Sequence, residues 1–303
     1  MTDSLLRPPG PPPSPGDEPG PTAATEVGSG AVVVGIDDGP LPWGLLENAL
    51  LVALRRGSAV RLVHVHGPET PRATSHDDAT GRAEAYLARQ GPVAVSRRCV
   101  GGHRVEALAA AADPDGVVVL ADRHRRLGSA AGTTLDAMIE AAPCPVLVVD
   151  ESTAPRPADG GVVVGLDGSP DAATVLRRAL VAADELATGV RAVSTWTVLD
   201  PGPVEGLEDL VAAASRNVPQ VPVTLERAED RPARRLLDAG RAAALLVLGH
   251  RHPVASGLRA HGSTARTLLA APPCPVLVLG PRVLDAAAGA EGPRPSGRPS
   301  APR

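Results

Sequence analysis

The chain repeats itself, and the repeat limits what it can fold into. Val32-Val33-Val34-Gly35-Ile36-Asp37 returns as Val162-Val163-Val164-Gly165-Leu166-Asp167, 130 positions later. Gly132-Thr133-Thr134 returns as Gly262-Ser263-Thr264, again after 130 positions. So does Pro143-Cys144-Pro145-Val146-Leu147-Val148, as Pro273-Cys274-Pro275-Val276-Leu277-Val278. Three matches in one register, at the start, late middle and end of a block, point to duplication of a whole unit. The expected organisation is a Pro/Gly-rich disordered arm over 1–28, a first domain over 29–150, a linker over 151–159, a second domain over 160–281 and a disordered tail over 282–303. The arm holds eight Pro, a composition that buries too little apolar surface to offset the entropy of ordering. The linker stretch from Ser152 to Asp159 is rich in Pro and Ala.

Each block alternates strand and helix signals. In the second block, strands are expected over Gly161 to Leu166, Val190 to Thr197, Val221 to Arg227, Ala243 to Gly249 and Val276 to Leu279. Helices are expected over Asp171 to Thr188, Glu205 to Ser215, Pro232 to Gly240 and Ser263 to Ala271. Val175, Ala179 and Ala183 share one face of the first helix, and Gly189 is placed to close it. This order makes an α/β fold: two tandem open parallel five-stranded sheets, each flanked by helices through right-handed crossovers. Aromatic residues are 1% of the chain and Phe is absent, so Val, Leu, Ile and Ala must fill the core. Such cores suit parallel strands buried on both faces.

Charge and residue types remove several functions. The net charge is −4, which argues against nucleic acid. Trp43, Trp196 and Tyr86 are too few for a base-stacking platform. All 30 basic residues are Arg, which removes P-loop, Schiff-base and Ser-Lys chemistry. Walker A, G-x-S-x-G, H-E-x-x-H and G-x-G-x-x-G motifs are all missing, so the chain reads as a binding protein without catalytic residues. Cys99, Cys144 and Cys274 form no C-x-x-C pair. They suit a reducing cytoplasm, and no leader or membrane-length apolar run is read.

Two segments carry candidate chemistry. Asp167-Gly168-Ser169 follows the first strand of the second block, at the carboxyl edge where open parallel sheets bind ligands. The same residues could simply cap the next helix. From Gly249 a loop leads into Gly262-Ser263-Thr264, a helix start whose backbone N–H groups and dipole favour anions; an ordinary cap is the alternative. His250-x-His252 and His64-x-His66 lack companions at zinc-ligand spacing, so no metal is assigned. Cys144 and Cys274 read as small buried apolar residues, with redox sensing as the alternative.

Across both blocks these pieces resemble the universal stress protein family, whose hallmarks are V-G-x-D-G-S, a late G-x2-G-x9-G-[ST] segment and a closing P-C-P-V-L-V-type strand. The resemblance implies an adenine nucleotide alpha hydrolase-like, Rossmann-like fold. It also implies a stress-response role with ATP or another adenine nucleotide in the second domain, and leaves slow ATP hydrolysis open because some members hydrolyse what they bind. Asp167 and Thr195 would meet adenine and ribose; Gly249, Gly262, Ser263 and Thr264 would hold phosphates. His252 stands where the family has its second glycine. The first block departs further: Asp38-Gly39-Pro40 replaces Gly-Ser after Asp37, Ala121 and His124 replace the two glycines, and its late loop is two residues shorter. It is expected to be structural or to bind something else. Family domains pair through the last strand, so Val146 to Val149 and Val276 to Leu279 would face each other within the chain, with a homodimer and unidentified protein partners as further expectations. The alternative is an interaction protein that works through its surfaces without nucleotide.

Overall fold

A computed structural model describes residues 30–66, 76–121, 133–150, 155–197, 204–250 and 262–290. The first domain runs β1 (Val32–Ile36), α1 (Trp43–Arg56), β2 (Val60–His66), α2 (His76–Gln90), β3 (Val95–Gly101), α3 (Arg104–Ala111), β4 (Val117–Ala121), α4 (Thr133–Ala141) and β5 (Val146–Val149). The second runs β6 (Val162–Gly165), α5 (Ala172–Glu185), β7 (Val190–Trp196), α6 (Leu207–Ser215), β8 (Val223–Glu229), α7 (Pro232–Gly240), β9 (Leu245–Gly249), α8 (Gly262–Ala270), β10 (Val276–Leu279) and α9 (Pro281–Ala290).

The two expected sheets are joined edge to edge. One ten-stranded sheet has the order β3-β2-β1-β4-β5-β10-β9-β6-β7-β8. Every neighbouring pair is parallel except β5 with β10, which is antiparallel. At that junction Leu147 lies opposite Leu277, with Val146 against Val278 and Val148 against Val276. Equivalent residues of the two blocks therefore meet on a local two-fold axis. The expected pairing of the last strands is what the chain adopts, and each domain covers an edge that would otherwise expose unpaired N–H and C=O groups.

The strands are apolar on both faces because helices lie on both. Val32, Val34 and Ile36 face one core with Leu46 of α1 and Leu176 of α5. Val33 faces the other with Leu108 of α3, Met138 and Ile139 of α4, and Leu236 of α7. This is the period-two alternation of a strand between two packed layers. Val175, Ala179 and Ala183 are buried, as their spacing predicts.

Three expectations change. Gly189 does not close α5. The helix ends at Glu185 with Leu186 as its C-cap, and Ala187 takes the left-handed position with φ 51°. Gly189 instead lets the start of β7 pass close to Pro222, where an added Cβ would lie 3.0 Å from the Pro222 oxygen. The tail does not become irregular at 282. Val283, Leu284 and the run Ala286–Ala288 continue helix α9 to Ala290, and Leu284 is 1% exposed. The Gly and Pro residues beyond had coloured the composition of the whole tail; 291–303 lie outside the described residues, as does the arm. The linker is held at Arg156, whose guanidinium donates to the carbonyls of Arg241 (2.5 Å) and Pro273 (2.6 Å).

Candidate functional site

The winding of the second domain sets the site. From β6 the chain steps to β7 and then β8, and returns past β6 to form β9 on its other side. The connections that leave the carboxyl ends of β6 and β9 run to helices on opposite faces, α5 and α8, which makes this edge the switch point where open parallel sheets bind ligands. Asp167 follows β6 at this edge, Thr195 lies near the end of β7, and Gly249 ends β9. Gly262, Ser263 and Thr264 open α8, with Thr264 half-buried. The sheet thus brings the strand-end residues to one edge. His252 and the rest of the loop from 251 to 261 lie outside the described residues, as does the side chain of Ser263.

The opening loop is built around a turn. The Asp167 carboxylate accepts from the Ser169 backbone N–H at 3.0 Å, a turn within the loop and not a cap on the next helix, whose N-cap carries no side-chain hydrogen bond. Asp171, not Ser169, precedes α5. Gly168 has φ +70°, a conformation that L side chains rarely adopt. An added Cβ there would lie 2.3 Å from Val204 Cγ1. Val204 is in turn held by its carbonyl, which accepts from Arg227 at 3.0 Å, while Arg227 also pairs with Glu208 at 2.5 Å. Val204 is an apolar wall beside the Asp167 turn that the sequence did not single out, since it carries no motif.

Gly249 has a packing reason to be glycine. Its missing Cβ would lie 2.9 Å from Val175 Cγ2 of α5, so the helix approaches the strand closely there. The phosphate role assigned from the resemblance is not needed to explain this residue.

Equivalent loops differ in charge. Asp37 is paired with Arg104 of α3 at 2.8 Å. Asp38 lies 3.6 Å from His64 Nε2, and His64 Nδ1 meets the Ile36 carbonyl at 2.8 Å. Leu108 packs against Gly35 as Leu236 packs against Gly165, which places Pro232 where Arg104 stands. A proline cannot supply a cation, and Asp167 has no ion pair among the described residues. The correspondence is hidden in the sequence because the offset narrows from 130 to 128 between β2/β7 and β3/β8, where Val95 and Val223 are equivalent.

The remaining candidates resolve into packing. Cys144 and Cys274 are 1% and 6% exposed. Burial pushes their thiols up to about 11 and about 12, the reverse of a reactive thiolate. No group of three His, Cys, Asp or Glu suited to a metal occurs among the described residues. Among the same residues no helix is long and apolar enough to cross a membrane.

The sequence model of the universal stress protein family matches residues 29–150 and again 161–280. The chain belongs to the universal stress protein family. Universal stress protein Rv2623 of Mycobacterium tuberculosis is 24% identical over 282 residues, covering 82% of this chain and 95% of its own. Universal stress protein Rv2005c of the same organism is 29% identical over 163 residues, covering 48% of this chain; the match spans about half, 55%, of that relative's length. A universal stress protein structure from Archaeoglobus fulgidus shares the fold with a TM-score of 0.63 at 15% identity, over 83% of this chain and 96% of that one. The family's two matched stretches correspond to the two halves of the sheet.

Proposed function

We propose that this chain is a stress-response binding protein whose second domain takes an adenine nucleotide, ATP or a close relative, at the carboxyl edge of β6, β7 and β9. One observation carries the reading. Asp167 is exposed at the switch point with no ion pair among the described residues, whereas Asp37 is closed by Arg104. An ionised carboxylate in that position accepts hydrogen bonds from the amine or hydroxyls of a nucleoside. Val204 offers an apolar surface beside it for the base. The start of α8 supplies backbone donors and the positive end of a helix dipole for phosphates. The roles given to Thr195, Gly249, His252, Gly262, Ser263 and Thr264 belong to this proposal. So do a cytoplasmic setting, a homodimer and protein partners.

Calorimetric titration of the full chain with ATP, beside a Gly262→Asp variant, tests it. A carboxylate at the start of α8 opposes phosphate. Micromolar binding lost in the variant supports the reading. Absence of binding up to millimolar ATP returns the second domain to an interaction role independent of nucleotide. The closed Asp37 loop already favours such a role for the first domain.

A further inference from the structure

The domains also enclose a cleft on the opposite edge of the sheet, away from the proposed nucleotide crevice. Its floor is the junction pair Leu147 and Leu277, and its sides are the equivalent helices α1 and α5. It encloses about 700 Å³, counting the solvent open to it. The lining takes in Val117 and Leu245, the first residues of β4 and β9, so the cleft sits at the amino ends of the strands. Most of the wall is aliphatic.

Its charge is one-sided. Arg55, Arg56, Arg156 and Arg178 line it, against a single acid, Glu185. Arg56 pairs with Glu185 at 3.3 Å across the two domains and donates to the Asp115 carbonyl at 2.7 Å. The same carboxylate also acts on Arg178, so one acid is shared between two cations. Among the described residues Arg156 donates to the carbonyls of Arg241 and Pro273, which orient the guanidinium without neutralising it. Arg178 Nε is buried with no hydrogen-bond partner among the described residues. Burial, and next the like charge of Arg56, lower its pKa from the ordinary guanidinium value. A buried donor without an acceptor is costly, and a cluster of cations in a partly dry cleft more so. An anion entering there would satisfy the donor and the charge together.

We propose that this inter-domain cleft binds a small amphiphilic anion, a carboxylate or phosphate head on a short aliphatic body. The head would meet Arg178 and Arg156, and the body would lie over Leu147 and Leu277. The Arg guanidinium suits both head groups because its planar donors match paired oxygens. The apolar floor adds affinity that an inorganic ion cannot collect.

The test is calorimetric titration of the full chain with four probes: octyl phosphate, octanoate, octanol and inorganic phosphate. Octyl phosphate or octanoate should bind at sub-millimolar affinity, with octanol and inorganic phosphate weaker by roughly tenfold or more. A preference between the two anions assigns the head group. Arg178→Leu should weaken the anion by roughly tenfold or more and keep the fold, because it removes an unsatisfied buried donor. Arg55→Glu, an exposed rim change, should weaken it as well and flatten the salt dependence of what remains. Gly262→Asp should leave octyl phosphate binding intact, which separates this site from the nucleotide crevice. The proposal is overturned if neither anion binds, if octanol binds equally well, or if Arg178→Leu leaves the affinity unchanged.

Discussion

Asp167 and Asp37 leave equivalent strands and end in opposite electrostatic settings, because Pro232 in one domain replaces Arg104 in the other. The difference predicts an asymmetric response. Asp167→Ala should lower ATP affinity by about tenfold, on the order of one charge-assisted hydrogen bond, and Asp37→Ala should leave it alone; calorimetry on both variants decides. Gly168 gives a second prediction. Its left-handed φ and its contact with Val204 both oppose a side chain. Gly168→Ala should cost about 1–3 kcal/mol of stability, read from denaturant melts, and should weaken nucleotide binding by displacing Val204. A variant as stable as the wild type would show that the loop relaxes at no cost. The carboxylate of Asp167 was legible from its place after V-G-L. The reason for Gly249 was not, since a glycine required by Val175 and a glycine required by a phosphate look the same in one sequence.

The elements themselves were mostly legible because each is short, aliphatic and bounded by Gly or Pro. Strand positions such as Val32–Ile36 and Val162–Gly165 carry the alternation of two buried faces. Pro232 opens α7 where a proline's missing N–H costs nothing. Boundaries failed where tertiary contacts decided them, as at Gly189 and in α9. The cationic cleft left no trace in the sequence at all: Arg56, Arg156 and Arg178 come from separate segments and share no spacing. One contact between elements can be tested directly. Arg56 of α1 is nearly buried, with a side chain 7% exposed, and Glu185 of α5 is its carboxylate partner. Glu185→Ala should destabilise by roughly 1–3 kcal/mol by removing the carboxylate beside a nearly buried cation. Adding Arg56→Met should restore most of the loss, and the coupling would appear in a double-mutant cycle of urea melts. Purely additive costs would mean that the pair contributes little.

At the scale of the molecule, the shared sheet makes the two domains one unit of folding. β5 and β10 are fully buried central strands rather than edges. Chemical unfolding should therefore appear as a single transition by circular dichroism and by Trp43 and Trp196 fluorescence together; two separated steps would contradict this. Stability should also fall at high pH. The buried thiols of Cys144 and Cys274 are raised to about 11 and about 12, against about 8.5 for an exposed thiol. Their contribution is intact below about pH 8.5 and is lost as pH rises toward the folded values, by up to about 1.4 kcal/mol per unit for each thiol. Melts between neutral pH and about pH 10 should show the slope, and a Cys144→Ala, Cys274→Ala variant should flatten it. The local axis at Leu147 and Leu277 has one more consequence. Were the halves separate copies of one gene product, every substitution would be mirrored, and Arg178 would have to face another Arg178. Covalent linkage lifts that restriction. Asn48 occupies in α1 the place of Arg178 in α5, and Arg55 the place of Glu185. Each half can then diverge against a fixed, always-present mate, and a seam inherited from symmetry becomes a surface on which selection can write two different sides.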